Sequence, residues 1–367
     1  MTATARLITG NRLHLQHGPI DLIIGADGVA AAIERAYRAA WAAFPSILPA
    51  LVAQLPLLRT PVQADAPEPS SAIPPTLSLP LKGGGKEVGV GDDWRQTSST
   101  KLPAQIPHLV FPPSPFEEDG RGGNYSTAGS LHPRLQEPSL GFPPSPLEGK
   151  GRGGGNAARR MIAAVWPYRD QFITPMAAVA GSVADEMLAI MCRAAQLDRA
   201  YVNNGGDIAI HLTPEATFTA GVVGDLSYPA VDALIAVSAS DNVGGIATSG
   251  WRGRSQSLGI ADAVTVLART AADADAAATM IANAVNVEDP AIRRLPAQAV
   301  KDDSDLGDLL VTVNVGQLTD GQRRRAISNG AARAREILSK NLIVAAYIQL
   351  QGEMLVVGGQ SLIARAA

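Results

Sequence analysis

The feature that most limits what this chain can fold into is a break in composition. From Ala64 to Gly155 the sequence carries 15 prolines and 15 glycines in 92 residues. Such a segment cannot bury enough apolar surface to offset the entropy of ordering it, so disorder is expected there. The segment also repeats itself. FPPSPFEEDGRGG begins at Phe111, and FPPSPLEGKGRGG begins at Phe142, 31 residues on. A related piece, LPLKGGGKEVG, begins at Leu79. Two copies without helical or strand periodicity are too few for a solenoid. A translated repetitive element lodged in a surface loop and a proline-rich partner-binding linker both fit. Loop closure entropy grows only logarithmically with length, so one domain can carry such an insertion. The expected organisation is residues 1–63 and 156–367 as two parts of one domain, interrupted by 64–155.

The other 275 residues must supply the core. The whole chain is 46% hydrophobic and 18% charged, with net charge −3. That is a globular composition, and it gives no electrostatic reason to expect nucleic acid or an anionic membrane surface as partner. Cys192, the one cysteine, excludes an intramolecular disulfide; in MLAIMCRAA it reads as a packing residue. The N-terminal MTATARLITGNRLHLQ has no apolar run of signal-peptide length. No stretch reads as the roughly 20 apolar residues that span a bilayer. The expected location is the cytoplasm.

Hydrophobic periodicity gives strands at Ile20–Ile24, Ala200–Asn203, Asp207–Leu212, Phe218–Val223, Ala233–Ser238, Gly245–Thr248, Ala263–Ala268, Leu309–Val315, Leu342–Leu350 and Met354–Val357. Helices are expected at Asp27–Phe44 with Asp27 as N-cap, Ala157–Trp166, Ser182–Ala194 with Ser182 as N-cap, Ala271–Asn283 and Thr319–Ser339. Pro45 and Pro49 are expected to end or kink the first helix, and Asp185 and Glu186 to occupy the first turn of the third. The order is not a repeating βαβ, so the fold class is α+β with an antiparallel or mixed sheet and packed helices.

Three short stretches could carry chemistry. NNGGD, at Asn203–Asp207, is a tight hairpin turn, or a turn whose free N–H groups cradle an anion. TSGWRGRS, at Thr248–Ser255, combines hydroxyls, a glycine and two arginines. If the stretch is extended, Arg252 and Arg254 share a side and could grip phosphate; an exposed basic loop is the alternative. In ADAAATMIANAV, Asp275 and Thr279 lie four residues apart on one helix face. A carboxylate and a hydroxyl suit Mg²⁺; a solvated or capping pair is the alternative. There is no P-loop and no Rossmann fingerprint. No Ser-His-Asp grouping or zinc-ligand cluster is evident, and His211 reads as structural.

Taken in order, PMAAVAGSVAD at Pro175, NNGGD at Asn203, GIATSG at Gly245, AVTVLA at Ala263 and ADAAAT at Ala274 resemble the ApbE superfamily, founded on FAD:protein FMN transferases. The resemblance covers nearly all of the chain outside the insertion and is nearer to an uncharacterised bacterial branch than to the transferases. It implies an α+β fold holding FAD, or FMN, with Mg²⁺. Asp275 and Thr279 would be side-chain metal ligands and Ala177 a backbone-carbonyl ligand. Asn204, Gly205, Gly206, Asp207, Thr248, Ser249, Gly250, Arg252 and Arg254 would meet the nucleotide. The implied activity is transfer or hydrolysis across the pyrophosphate. A non-catalytic binder and an enzyme acting on another cofactor or metabolite stay open. The departures are specific: SQSLGIADAVTV replaces the transferases' H-x-x-D-P-x-T-G, and Ala180 stands where KGxxxD has lysine. The expected partner is a small-molecule flavin nucleotide, with a homodimer left open and neither nucleic acid nor membrane expected.

A chain joining Val62 directly to Asn156 is expected to melt within a few degrees of full length, and limited proteolysis to cut first between residues 64 and 155. A large loss of thermal stability on deletion would refute the reading of this segment as an insertion.

Overall fold

The computed structural model describes residues 2–65, 154–224 and 230–365. The expectation of disorder concerns residues that lie almost wholly outside this set.

The chain opens with three strands, β1 (Thr4–Ile8), β2 (Arg12–His17) and β3 (Ile20–Asp27). Two helices follow, α1 (Ala30–Val52) and the short α2 (Leu55–Leu58). After residue 153 come α3 (Gly154–Val165), α4 (Val179–Ala194), β4 (Arg199–Asn204), β5 (Asp207–Leu212), β6 (Thr217–Val222) and β7 (Ala233–Ser238). Then come β8 (Gly245–Ser249), β9 (Ala263–Ala268), α5 (Ala271–Ala284), β10 (Ile292–Pro296), α6 (Ala297–Val300) and β11 (Leu310–Val315). Helix α7 (Asp320–Ser339) and strands β12 (Ala345–Leu350), β13 (Glu353–Val357) and β14 (Ile363–Arg365) complete the described chain. The fold is α+β, as the pattern predicts.

Nine strands form one sheet in the order β1-β2-β3-β4-β5-β8-β9-β12-β13, and every pairing in it is antiparallel. Its two faces carry different layers. Ala200 and Val202 of β4, with Val264, Val266 and Ala268 of β9, enter the cores formed with the helices. Tyr201 and Leu267, one residue out of phase, enter a third core with Phe218 and Ile235 of a small β14-β7-β6 sheet. Period-two alternation thus becomes a three-layer arrangement. It also explains why β9 and β12 are buried along their whole length.

Helix α5 lies at the centre. Its alanines at 271, 272, 274, 276, 277 and 278 are all buried, and short side chains let neighbours approach closely. A Cβ on Gly181 of α4 would stand 2.2 Å from the Ala271 carbonyl oxygen, and one on Gly245 of β8 would stand 2.1 Å from the Ala271 nitrogen. Only glycine permits either approach. The contact is held by two carboxylates. Asp185 of α4 accepts the N–H groups of Ala271 (3.1 Å) and Ala272 (2.9 Å), and Asp275 of α5 accepts the N–H of Gly181 (3.0 Å). Each helix thus satisfies orphan donors in the first turn of the other.

Several local expectations are corrected. Helix α4 starts at Val179, three residues before Ser182, whose hydroxyl is buried and unpartnered inside the helix. Asp185 and Glu186 are therefore beyond the first turn. Asp185 caps α5 instead, and Glu186 pairs with Arg160 and Arg193. Asp27 is not the N-cap of α1, which Val29 precedes without a side-chain bond. Asp27 ends β3 and pairs with Arg199 across the strand. Pro45 and Pro49 do not end α1, which runs through both to Val52 because buried Ile47 and Leu51 anchor its second half. Cys192 is partly buried against the core, and burial pushes its thiol up to about 11. One segment, Pro175–Ala194, does have the length and apolar character to cross a membrane, contrary to the sequence reading, but most of it is buried within the fold.

Asp185→Ala removes two charge-assisted acceptors from the start of α5. The cost of burying the carboxylate offsets part of the loss, since burial raises its pKa to about 7 against the charge of Arg160 and the two N–H bonds. The expected net loss is about 2–4 kcal/mol in urea unfolding. A change below about 1 kcal/mol would show that the carboxylate does not hold the two helices together.

Candidate functional site

The site is assembled where the α4–α5 contact meets the β4–β5 hairpin. Asn204 pairs with Asp207 across a two-residue turn. Gly205 and Gly206 both have positive φ, 66° and 112°, the geometry of the primed hairpin turns that asparagine-glycine sequences favour. The Asn203 side chain accepts the Gly206 N–H at 2.8 Å, and the Asn204 amide donates to the Ala180 carbonyl at 3.1 Å. The turn is thereby fastened to the first residues of α4, and Asp207 is held beside Asp275.

A cavity of about 260 Å³ opens there. Met176, Ala177 and Ala180 line one wall, Asp275 and Thr279 of α5 another, and Asp207 and Arg254 a third. Arg59, Thr174, Gln256, Lys301 and Asp303 also line it, with Phe172, Ile173, Leu258 and Met280 as apolar neighbours. Arg59 is tied to Asp303 by two hydrogen bonds of 2.5 and 2.6 Å. Arg254 lies over the turn, so close that a Cβ on Gly205 would meet its Nη2 at 1.6 Å.

The electrostatics are those of two acids sharing a confined space. Burial raises the Asp207 pKa to about 7, against the Thr248 N–H bond (3.2 Å) and the positive charge of Arg254. Asp275 is pushed well above the ordinary carboxylate value, first by burial and then by the charge of Asp207, while the N–H groups of Gly181 and Ala180 lower it. Two facing carboxylates of this kind are costly unless a cation joins them. Oxygen donors gather around Asp207 and Asp275: their two carboxylates, the Thr279 hydroxyl, which makes no side-chain hydrogen bond among the described residues, and the backbone of Ala177. That set suits a hard divalent cation. No group of three or more His, Cys, Asp or Glu side chains able to hold a metal occurs among the described residues, so the hydroxyl and the backbone carbonyl would have to contribute.

The sequence-derived residues divide. Ala177, Asp207, Arg254, Asp275 and Thr279 are brought together. Gly205 and Gly206 shape the turn beside the cavity, and Asn204 braces Ala180. Thr248 gives its N–H to Asp207 and shares a hydroxyl bond with Thr265 (2.9 Å). Gly250 packs against the Asp262 carbonyl; neither it nor Ser249 lines the cavity. The expectation that Arg252 and Arg254 share a side is corrected. Residues 251–255 form turns and bends, not a strand. Arg252 lies over the Trp251 ring at 4.9 Å and pairs with Asp262 at 3.3 Å, whereas Arg254 enters the cavity. The rim from Arg59, Thr174 and Lys301–Leu306 was not foreseen. These residues come from distant parts of the chain and carry no local motif.

Among the described residues, no histidine lines the cavity. His211 lies near the Leu197 carbonyl (3.2 Å) and His14 pairs with Asp21 (2.7 Å); His108 and His132 lie outside the described residues.

Comparison with known proteins bears on this arrangement. Residues 4–77 and 130–356 match the model of a family described as "AbpE bacteria". The chain belongs to that family, which is ApbE-related. The match resumes after a gap at residues 78–129, inside the proline- and glycine-rich segment. Curated archaeal relatives are UPF0280 proteins. That of Methanothrix thermoacetophila is 39% identical over 31% of this chain and 46% of its own length. That of Archaeoglobus fulgidus is 42% identical over 31% and 45%. That of Methanopyrus kandleri is 35% identical over 36% and 51%. The chain thus spans about half the length of these relatives, whose names state neither ligand nor reaction.

The raised pKa values carry a pH dependence. A carboxyl whose folded pKa lies above its unfolded value of about 3.9 binds its proton more tightly in the folded state. The metal-free contribution of Asp207 to stability is therefore fully present below about pH 4 and is lost as pH rises through about 7. Asp185 acts in the same direction, so the contribution of the site is isolated by comparison with Asp207→Asn. Between pH 5 and 8, in chelator-treated buffer, the melting temperature of Asp207→Asn is expected to fall less steeply than that of the wild type. Parallel slopes would show that Asp207 is not a buried acid.

Proposed function

We propose that this cavity binds the phosphate part of a flavin nucleotide, FAD or FMN, together with Mg²⁺, and that the protein acts across a pyrophosphate by transfer or hydrolysis. The observation that carries the reading is the pairing of Asp207 with Asp275 in a confined cavity whose other lining includes Arg254 and Lys301. Carboxylates attract a cation, and the neighbouring guanidinium and ammonium groups attract the anion that the cation would accompany. The ApbE-related family membership supports the same ligand class.

Asp275, Thr279 and the Ala177 carbonyl would hold the cation, with Asp207 alongside. A divalent cation bound there supplies charge neutralisation at phosphate oxygens. Asp275 would serve this task while its Oδ2 accepts the Gly181 N–H. Arg254 holds a phosphate through charge-assisted bonds, and its position over Gly205 fixes where that phosphate lies. Lys301, at the rim, offers a second positive charge, whereas Arg59 is already engaged by Asp303.

A second reading, binding without turnover, is favoured by one specific observation. Among the described residues that line the cavity there is no histidine, cysteine or tyrosine to serve as an imidazole base or a thiol or phenol nucleophile, and the H-x-x-D-P-x-T-G motif is absent. Within its family we accordingly place the chain on a branch apart from the FMN transferases.

Titration calorimetry is expected to show FAD binding that requires Mg²⁺. Asp275→Asn, which keeps an acceptor for Gly181 but removes the charge, is expected to weaken it at least tenfold. Arg254→Ala should weaken FAD roughly 10- to 150-fold, the equivalent of about 1.5–3 kcal/mol, and leave riboflavin nearly unchanged. Release of FMN and AMP from FAD distinguishes action from binding alone. FAD affinity independent of Mg²⁺ and unchanged in Asp275→Asn would overturn the proposal.

A further inference from the structure

Three positive side chains line the cavity: Arg254, Lys301 and, at the rim, Arg59. Arg59 makes a bidentate ion pair. Its Nη1 and Nη2 donate to the two carboxylate oxygens of Asp303 at 2.5 and 2.6 Å, between residues 244 apart in sequence. The same fork is what a guanidinium offers to a phosphate. Asp303 therefore occupies the donors that an anion reaching the rim would use.

The pair joins two elements that are each fastened without it. Arg59 caps α2, and its backbone N–H donates to the Leu55 carbonyl at 2.9 Å. Asp303 belongs to a strap, Lys301–Leu306, that crosses from α6 towards β11 along the mouth of the cavity. Other contacts pin this strap. The Thr174 hydroxyl, which is buried, donates to Asp305 at 2.5 Å, and the Ser304 hydroxyl donates to the Gln256 side-chain oxygen at 2.5 Å. Behind them the Gln298 N–H donates to the Gly307 carbonyl at 3.0 Å. Asp305 is thus fixed, whereas the Asp303 side chain is 73% exposed. Exposed ion pairs add little to stability, so Asp303 can turn into water while the strap keeps its place. The contact that closes the rim is the one most readily exchanged.

Resting on the reading of the cavity as a phosphate site, we propose that Arg59 is an anion-binding residue held in reserve, and that Asp303 is an internal competitor whose place the outer anionic group of the ligand takes. A ligand with a single phosphate, held at Arg254 and the cation, leaves the Arg59–Asp303 pair intact and meets the negative charge of Asp303 at the mouth. A ligand with two linked phosphates extends to Arg59, offers it more charge than one carboxylate and displaces Asp303 into solvent. The exchange selects linked phosphates over single ones, and Arg59 and Asp303 are the residues that set this preference.

The test uses the full chain with Mg²⁺ and two probes, inorganic pyrophosphate and inorganic phosphate. Each is titrated into wild type, Asp303→Asn, Arg59→Gln and the double variant, after melting curves establish that all four are folded. Asp303→Asn frees Arg59 and is expected to tighten pyrophosphate roughly 1.5- to 5-fold, the contribution of an exposed pair. Arg59→Gln is expected to weaken it roughly 5- to 100-fold, the contribution of a charge-assisted contact less that of the pair given up. In the Arg59→Gln background the gain from Asp303→Asn is expected to vanish. Phosphate binding, weak or absent in wild type, is expected to stay so in Asp303→Asn. An equal gain from Asp303→Asn with and without Arg59, or equal gains for both probes, would overturn the exchange, because Asp303 would then act only as a nearby negative charge. Pyrophosphate affinity unchanged in either single variant would overturn it too, and would leave the phosphate site at Arg254 standing. A wild type that binds no pyrophosphate with Mg²⁺ would overturn the reading of the cavity, and this proposal with it.

Discussion

The arrangement depends on a reciprocal exchange of carboxylates between two helices. Helix α5 receives Asp185 from α4 at its first N–H groups, and α4 receives Asp275 from α5 at Gly181. An N-terminus buried in a protein interior must find acceptors for its orphan donors. Here neither helix uses a local side chain alone: Thr270 caps α5 at the Asp273 N–H, and the remaining donors are met across the interface. The exchange is possible only because Gly181 lets the helices meet with no Cβ between them. The backbone contact and the two carboxylates therefore specify one another. Lengthening either interface residue would separate both acids from their donors.

From this contact the site follows almost as a by-product. Once α4 and α5 are fixed at their starts, Asp275 stands at the edge of the interface with one oxygen committed. The β4–β5 turn is tied to the same place through Asn204 and Ala180. That brings a second acid, Asp207, to the first. Both acids are raised mainly by burial, although Asp207 accepts the Thr248 N–H and faces Arg254, and Asp275 accepts the Gly181 N–H. Asp185, also raised, has Arg160 and two N–H groups and lies in the core. The difference between a helix cap and a candidate ligand in this protein is access to the cavity, not residue type.

Much of the fold was legible because its periodicities are clean. β7 and β9 fall at their expected residues, and α7 begins where Thr319 and Gln322 form a capping box. What was missed was decided at a distance. β1 pairs with β2, and β2 with β3, at the sheet edge, but short alternation with arginine and histidine on one side gives no strong signal. Ser182 reads as an N-cap because serine usually is one, yet here the helix has already begun and the acids beyond it serve another helix. The two prolines in α1 are overridden by burial of Ile47 and Leu51, a tertiary term that outweighs a local penalty of about 3 kcal/mol. At the site, helical spacing was enough to pair Asp275 with Thr279. The split between Arg252 and Arg254 was not readable, because a turn at Trp251–Ser255 has no period from which to infer direction.

That Asp275 serves both the helix contact and the cavity links occupancy to the fold. Its Oδ2 accepts the Gly181 N–H, which restrains the carboxylate beside the cavity. The site is therefore preorganised at the cost of keeping two acids close together, and relief of that repulsion is available to whatever binds. Because the same carboxylate anchors the start of α4, a ligand that draws charge from Asp275 acts directly on the α4–α5 contact. The small residues of α5 transmit little slack: Ala276, Ala277 and Ala278 are fully buried and closely packed interiors resist adjustment. A chain that places its acids this way has less need of a large set of polar ligands, because the helix interface already does the orienting that additional side chains would otherwise supply.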